Sequence, residues 1–261
     1  MRIARVAHAD GVDYAVLAPD GAVAELVADP FATPHPVPLG RRIALADVRL
    51  LAPVVPRTVV GMAHNTGPDD RRLPPQAFLK PARSVVGPGE PIPLPSMSER
   101  VDAEAELAVV LRAPLTGHTP ETVHEAVLGY TVANDVTARD LQRSDPLWTT
   151  AKGQYGFTPL GPWVETDLDP ADVQVGLSID GRPLRPASTA HLARGVTEIL
   201  CHLAAYLPLG PGDVVLTGAP GEFGPLRPGG QAEATVAGIG SLANPVIHSN
   251  HPSHPGETPC P

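Results

Sequence analysis

The stretch VDAEAELAVVL, residues 101–111, decides how this chain is read. It sets Asp102, Glu104 and Glu106 at every second position and then turns wholly apolar. Side chains of a strand alternate between faces, so the three carboxylates share one face, with neighbours about 7 Å apart along the chain. Like charges repel at that spacing, and burying them is costly unless something compensates them. The plain alternative is a solvated strand face, which needs no compensation. A second acidic run, YTVANDVTARD at 130–140, ends a strongly apolar segment and adds Asp135. Carboxylates at i and i+2, joined by one from a neighbouring strand end, make an all-oxygen site. Such a site suits Mg²⁺, Mn²⁺ or Ca²⁺ rather than zinc or copper.

The rest of the chain limits what that site can serve. Its 261 residues carry 19 Lys+Arg against 28 Asp+Glu, a formal net charge of −9. That balance argues against nucleic acid or an anionic membrane as partner, and leaves room for a small anionic ligand. The two cysteines, Cys201 and Cys260, form neither a disulfide framework nor a CxxC zinc pattern. The first residues lack the apolar run of a signal peptide and no stretch reaches spanning length, so the expected location is cytoplasmic.

With 33 prolines and 25 glycines, the chain reads as rich in strands and loops. Residues 1–55 alternate short strands and turns, one turn at Asp20-Gly21, and form a small β-rich N-terminal unit. From 56 to 247, runs such as TVVGM, ELAVVL, VLGYTVAND, VQVGLSID and DVVLTG read as strands. Two segments read as helices: TPETVHEAVLGY, with Thr119 as cap and Pro120 at its first position, and GVTEILCHLAAYLP, which stops at Pro208. Residues 248–261 are polar and proline-rich and read as a disordered tail. Its histidines at 248, 251 and 254 are taken as incidental.

Several runs occur together in one order: FLKPARSVVGPGEPIPLP, VDAEAELAVVL, GYTVANDVTARDLQ, WTTAKG, FTPLGPWV, GDVVLTGAP and VAGIGSLANPV. On these the chain resembles the fumarylacetoacetate hydrolase family, in its short bacterial form. The resemblance implies a mainly β (α+β) fold, a mixed β-roll or β-sandwich with few short helices, and a homodimer. It implies metal ligands at Glu104, Glu106 and Asp135, with Asp102 outside the set. It places Arg139 and Gln142 on a substrate carboxylate, and Lys152 and Thr217 among the catalytic groups. The expected cofactor is Mg²⁺ or Mn²⁺, with Ca²⁺ as a substitute. The expected partner is a small 2-oxo acid, whose carboxylate and keto oxygens can chelate such an ion.

The chain departs from the family pattern in two places. The family's loop GLNYxDHxxE supplies a His and a Glu that activate water. Here GMAHNTGPDD puts Gly67 and Asp70 in those places, and His64 lies three positions early. His64 is the candidate base and the DDRR run a candidate lid. After Lys152 the family commonly has KGFDTF; this chain has KGQYGF, with Tyr155 where aspartate is expected, at the substrate pocket. The leading expectation is metal-dependent hydrolysis of the C–C bond of an acylpyruvate. Decarboxylation or keto–enol isomerisation at the same metal is the alternative, and the altered dyad favours it. A non-catalytic binding protein on the same fold is the third reading.

Overall fold

The computed structural model describes residues 1–33 and 35–249. The tail expected over 248–261 lies outside the described residues apart from His248 and Ser249, and so do His251, His254 and Cys260.

Strands dominate. The first four, β1 (Arg2–His8), β2 (Gly11–Leu17), β3 (Val23–Val27) and β4 (Pro38–Ala44), form an antiparallel meander. The Asp20-Gly21 turn joins β2 to β3, with the Gly21 amide donating to the Ala18 carbonyl at 2.8 Å. This N-terminal meander is not set apart. β1 pairs with the strand Thr158–Glu165, so it extends a twelve-stranded sheet. Beyond that strand the order runs through Val127–Asn134, Ala105–Leu111, Val214–Leu216, Val59–Ala63 and Gln76–Lys80.

A six-stranded sheet, which includes Gln174–Ile179, Gln231–Val236 and Gly240–His248, covers one face of the larger sheet. Leu107, Val109 and Leu111 face it and share a core with Val175, Leu177, Ala234 and Leu242. Ala108 and Val110 point the other way and pack with Ile3, Leu160, Val164 and Leu216. Both faces of Ala105–Leu111 are therefore buried, which is why its sequence is continuously apolar after Glu106.

Helices are few among the described residues: α1 (Arg139–Ser144), α2 (Thr149–Lys152) and α3 (Val196–Ala204). The expected helix in GVTEILCHLAAYLP is α3, which sends Ile199, Leu200 and Leu203 into the core. The helix expected from Thr119 does not form. One 3₁₀ turn, Val123–Ala126, leads straight into the strand Val127–Asn134. That segment has strands hydrogen-bonded on both sides, and its Val, Tyr and Thr side chains fit the pleat. No helix among the described residues is long and apolar enough to cross a membrane.

Candidate metal and active site

The acidic stretch is not one strand. Val101–Ala103 and Ala105–Leu111 are separate strands, and the chain breaks step at Glu104. The break is satisfied locally: the Glu104 amide donates to Asn134 Oδ1 at 2.9 Å, and the Asp135 amide donates to the Glu104 carbonyl at 2.8 Å. Asn134 and Asp135 close the apolar strand Val127–Asn134, so the ANDVTARD run delivers its aspartate directly beside the Glu104 break. Ligand atoms of Glu104, Glu106 and Asp135 then lie within 4.8 Å of one another, and all three residues are buried.

Of the four carboxylates, counting Asp102, three are paired with cations. Lys152 Nζ donates to Glu104 at 3.0 Å and also to Asp135. Lys80 Nζ donates to Asp135 at 2.5 Å and to the Val136 carbonyl at 3.2 Å. Arg139 gives Nη2 to Glu104 at 2.5 Å and Nε to Asp102 at 3.0 Å. Arg100 reaches Asp102 from the surface at 3.1 Å. Asp102, fully buried, is thus consumed in fixing arginines and stands apart from the three-acid cluster.

Glu106 is the exception. Its one hydrogen bond comes from the Gly218 amide, at 2.6 Å, and no cation forms an ion pair with it among the described residues. Burial, then the charges of Asp135 and Glu104, push its carboxyl well above the ordinary value. Burial also opposes the charge of Glu104, but Lys152 and Arg139 outweigh it and hold that carboxyl at about 2. Burial drives the Lys80 ammonium below its usual value, whereas Lys152 is held above its own because Asp135 and Glu104 outweigh its burial.

The remaining expected residues divide. Gln142 on α1 accepts from Arg139 Nη1 at 3.0 Å, so it is part of the same network. Thr217 is buried and donates its hydroxyl to the Leu107 carbonyl at 2.8 Å, which pins the loop that carries Gly218. His64 is exposed, with its ring edge-on to Trp148 at 5.5 Å. Asp70 is bound within its own loop: it accepts from the Thr66 amide at 2.8 Å and the Thr66 hydroxyl at 2.9 Å. Partial burial works against its charge, yet these bonds hold it below the ordinary value. The DDRR run is docked, since Arg71 donates to Glu198 at 2.6 Å and to the Ala193 carbonyl at 2.7 Å. Tyr155 is 62% exposed, on the turn after α2, rather than among the buried acids.

Sequence reasoning passed over Lys80 and Gly218. The signal for Lys80 was a lysine at the end of the strand Gln76–Lys80, two positions after buried Phe78 and on the same face. For Gly218 it was the glycine after Thr217: φ is +104°, and a Cβ would stand 2.2 Å from the Asn65 carbonyl oxygen.

A cavity of about 810 Å³ is lined by Thr66, Pro68, Arg185, His191, Pro220 and Phe223, and not by Arg139, Lys152 or the clustered acids; Phe223 links it to Arg139. The Phe223 ring covers the Arg139 guanidinium at 4.2 Å. A larger cavity, about 880 Å³ beside α3, likewise has none of the clustered acids in its lining, and no residue of its lining touches Arg139.

A family profile described as fumarylacetoacetate (FAA) hydrolase C-terminal matches residues 56–247. The chain belongs to the fumarylacetoacetate hydrolase family. A second profile, Rv2993c-like N-terminal, matches residues 1–53. Protein Rv2993c of Mycobacterium tuberculosis is 38% identical over 97% of this chain and 100% of its own. The crystal structure of a 5-carboxymethyl-2-hydroxymuconate delta-isomerase from Mycobacterium smegmatis is 40% identical and superposes with a TM-score of 0.89, over 95% of this chain and all of its own. A maleylpyruvate hydrolase from Sphingobium sp. SYK-6, in complex with manganese(II) and pyruvate, is 25% identical with a TM-score of 0.79, over 96% of this chain and all of its own. In this chain the donor set fits a hard divalent cation: three buried carboxylates converge, and no cation among the described residues forms an ion pair with Glu106.

Proposed function

We propose that the protein is a Mg²⁺- or Mn²⁺-dependent enzyme that isomerises a 2-oxo or 1,3-dioxo carboxylate by moving a proton. The observation that carries this reading is Lys152, a buried ammonium bridging two of three converging carboxylates. When bound, the cation supplies Lewis-acid stabilisation of charge developing on the substrate. Of the three N–H groups of Lys152, two are committed to Glu104 and Asp135, which leaves one for a substrate oxygen. Arg139 has five N–H groups, of which three serve Asp102, Glu104 and Gln142; two remain for the substrate carboxylate. The 810 Å³ cavity, whose Phe223 covers the Arg139 guanidinium, is the room assigned to the rest of the substrate in this reading.

Proton transfer is favoured over hydrolysis because, among the described residues, His64 and Asp70 are not hydrogen-bonded to each other as a water-activating pair. Asp70 is occupied by Thr66, and His64 lies on Trp148. His64 is the candidate proton relay. The likeness to an isomerase at 40% identity supports the same reading. Hydrolysis of an acylpyruvate is the second reading, supported by the likeness to a maleylpyruvate hydrolase.

The test is a side-by-side assay with Mg²⁺. Loss of the ultraviolet enol absorbance of oxaloacetate scores isomerisation, pyruvate released from acetylpyruvate scores hydrolysis, and CO₂ scores decarboxylation. Enol loss that disappears in Glu106→Ala is the expected result. Pyruvate release without enol loss moves the assignment to hydrolysis, and CO₂ release to decarboxylation. No divalent binding by calorimetry removes the enzyme reading.

A further inference from the structure

Three non-glycine residues among those described have positive φ: His64 (52°), Trp148 (58°) and Asp180 (53°). Left-handed backbone is tolerated best by Asp and His among non-glycine residues; for a side chain as bulky as that of Trp148 it is unfavourable and persists where surroundings impose it. Two of the three meet ring to ring beside the acids, His64 and Trp148, with centroids 5.5 Å apart.

Trp148 is held there from its own loop. Its amide donates to the Asp145 carbonyl at 3.0 Å. The Asp145 carboxylate caps the turn by accepting from the Leu147 amide at 2.9 Å and from the Thr150 amide and hydroxyl, each at 2.8 Å. The Trp148 carbonyl accepts from the Lys152 amide at 2.9 Å, so the strained residue starts the single turn that carries the lysine.

The rings complete the arrangement. Trp148 packs on Phe78 at 5.6 Å. The Lys152 ammonium lies 4.6 Å from the Phe78 ring centre and 6.0 Å from that of Trp148, inside cation–π range. Phe78 is seated directly on Gly61, where a Cβ would come within 2.2 Å of its ring. The carboxylates thus hold the lysine head from one side and two aromatic faces hold it from the other. The outer aromatic, Trp148, also touches the imidazole of the 64–75 loop.

The structure assigns Trp148 as a positioning residue that fixes the Lys152 ammonium and the His64 imidazole relative to each other. This role rests on the 2-oxo-acid reading above. It acts through Lys152 and His64, so it governs turnover more than capture of the substrate.

The experiment has two arms. In the first, Trp148→Ala lowers kcat for the isomerisation assay at least about tenfold while KM stays within about threefold, and Trp148→Phe restores most of the rate. In the second, Trp163→Phe leaves Trp148 as the remaining tryptophan of the two in the chain. Its emission then changes on titration with Mg²⁺ plus oxalate, and His64→Ala abolishes part of that change. The second arm leaves Trp148 in place, so it reads the role even where Trp148→Ala does not fold. Unchanged kcat and KM in Trp148→Ala overturn the role. So does silent Trp148 emission while calorimetry shows Mg²⁺ and oxalate bound. Absence of Mg²⁺ and oxalate binding removes the 2-oxo-acid reading and this role with it.

Discussion

Glu106 and Gly218 meet through a single 2.6 Å hydrogen bond, from backbone amide to carboxylate, and that bond is the only partner Glu106 has within the protein among the described residues. Its neighbours Glu104 and Asp135 each hold at least one ammonium or guanidinium. The site is therefore asymmetric: two acids are balanced and one is left to an incoming cation. Replacing it with Glu106→Gln keeps shape and removes charge. Divalent affinity measured by calorimetry falls by at least about 100-fold, since a direct ligand matters more than its supporting groups. The metal-free protein, relieved of a buried carboxyl that has no ion-pair partner, melts higher, by about 2–4 °C for each kcal/mol gained. A lower Tm would contradict the asymmetry.

The same asymmetry sets a pH dependence. The ordinary value for Glu106 is 4.5 and its folded value lies well above it. Between the two, the unfolded chain binds fewer protons than the folded one, so the stability of the metal-free protein falls as pH rises through this window. Below 4.5 the penalty is absent. Glu104 works in the opposite sense: its contribution is present above its ordinary 4.5 and is lost as pH falls through about 2. A divalent cation must displace the Glu106 proton, so its affinity tightens with pH by up to about tenfold per unit. Calorimetric titration of Mg²⁺ across a pH series reads this directly, and a flat profile would sink it.

Lys152→Met separates charge from packing. The substitution leaves Glu104 with Arg139 and Asp135 with Lys80 as their remaining cations in a buried setting, which costs up to roughly 3 kcal/mol in the metal-free protein, below the full cost of an unpaired buried charge. Saturating Mg²⁺ would recover part of that loss, because Glu104 and Asp135 are among the residues that would hold it and it would supply positive charge there. Turnover falls by at least about 100-fold with metal bound. Thermal melts with and without Mg²⁺ check the first statement, and retained turnover would take Lys152 out of the chemistry.

Gly218→Ala tests the loop on its own. The new Cβ meets the Asn65 carbonyl oxygen and forces a left-handed φ on alanine. Asn65 is itself committed, donating to the Thr217 carbonyl at 2.7 Å and to the Arg194 carbonyl at 3.0 Å, so it cannot easily yield. A loss of about 1–3 kcal/mol is expected, together with weaker Mg²⁺ binding through displacement of the Glu106 contact. Denaturant unfolding measures the first, and an unchanged midpoint would show that the loop relaxes freely.

The convergence of Glu104, Glu106 and Asp135 was legible in the sequence because two of them follow strand spacing and the third ends an apolar run. Asp102 shares that spacing, and nothing local distinguishes it. Its separation depends on Arg100 and Arg139, and on a strand break that the Asn134 side chain stabilises from 30 residues away. Lys80 stayed hidden for the same reason, since its partner Asp135 is 55 residues further on. The strand character of the fold could be read from short β-branched runs between glycines and prolines. The TPETVHEAVLGY segment could not, since its capping residues are genuine helix signals. Pairing on both sides of Val127–Asn134 overrides them.

The pairing of β1 with Thr158–Glu165, Arg2 opposite Glu165 and Ile3 opposite Val164, joins the two family regions through backbone bonds. Ile3 also packs with Leu160 and Val164. Cutting the chain between the regions would therefore not release two modules. It would bare a strand border, unpaired and apolar, of the kind that recruits other chains.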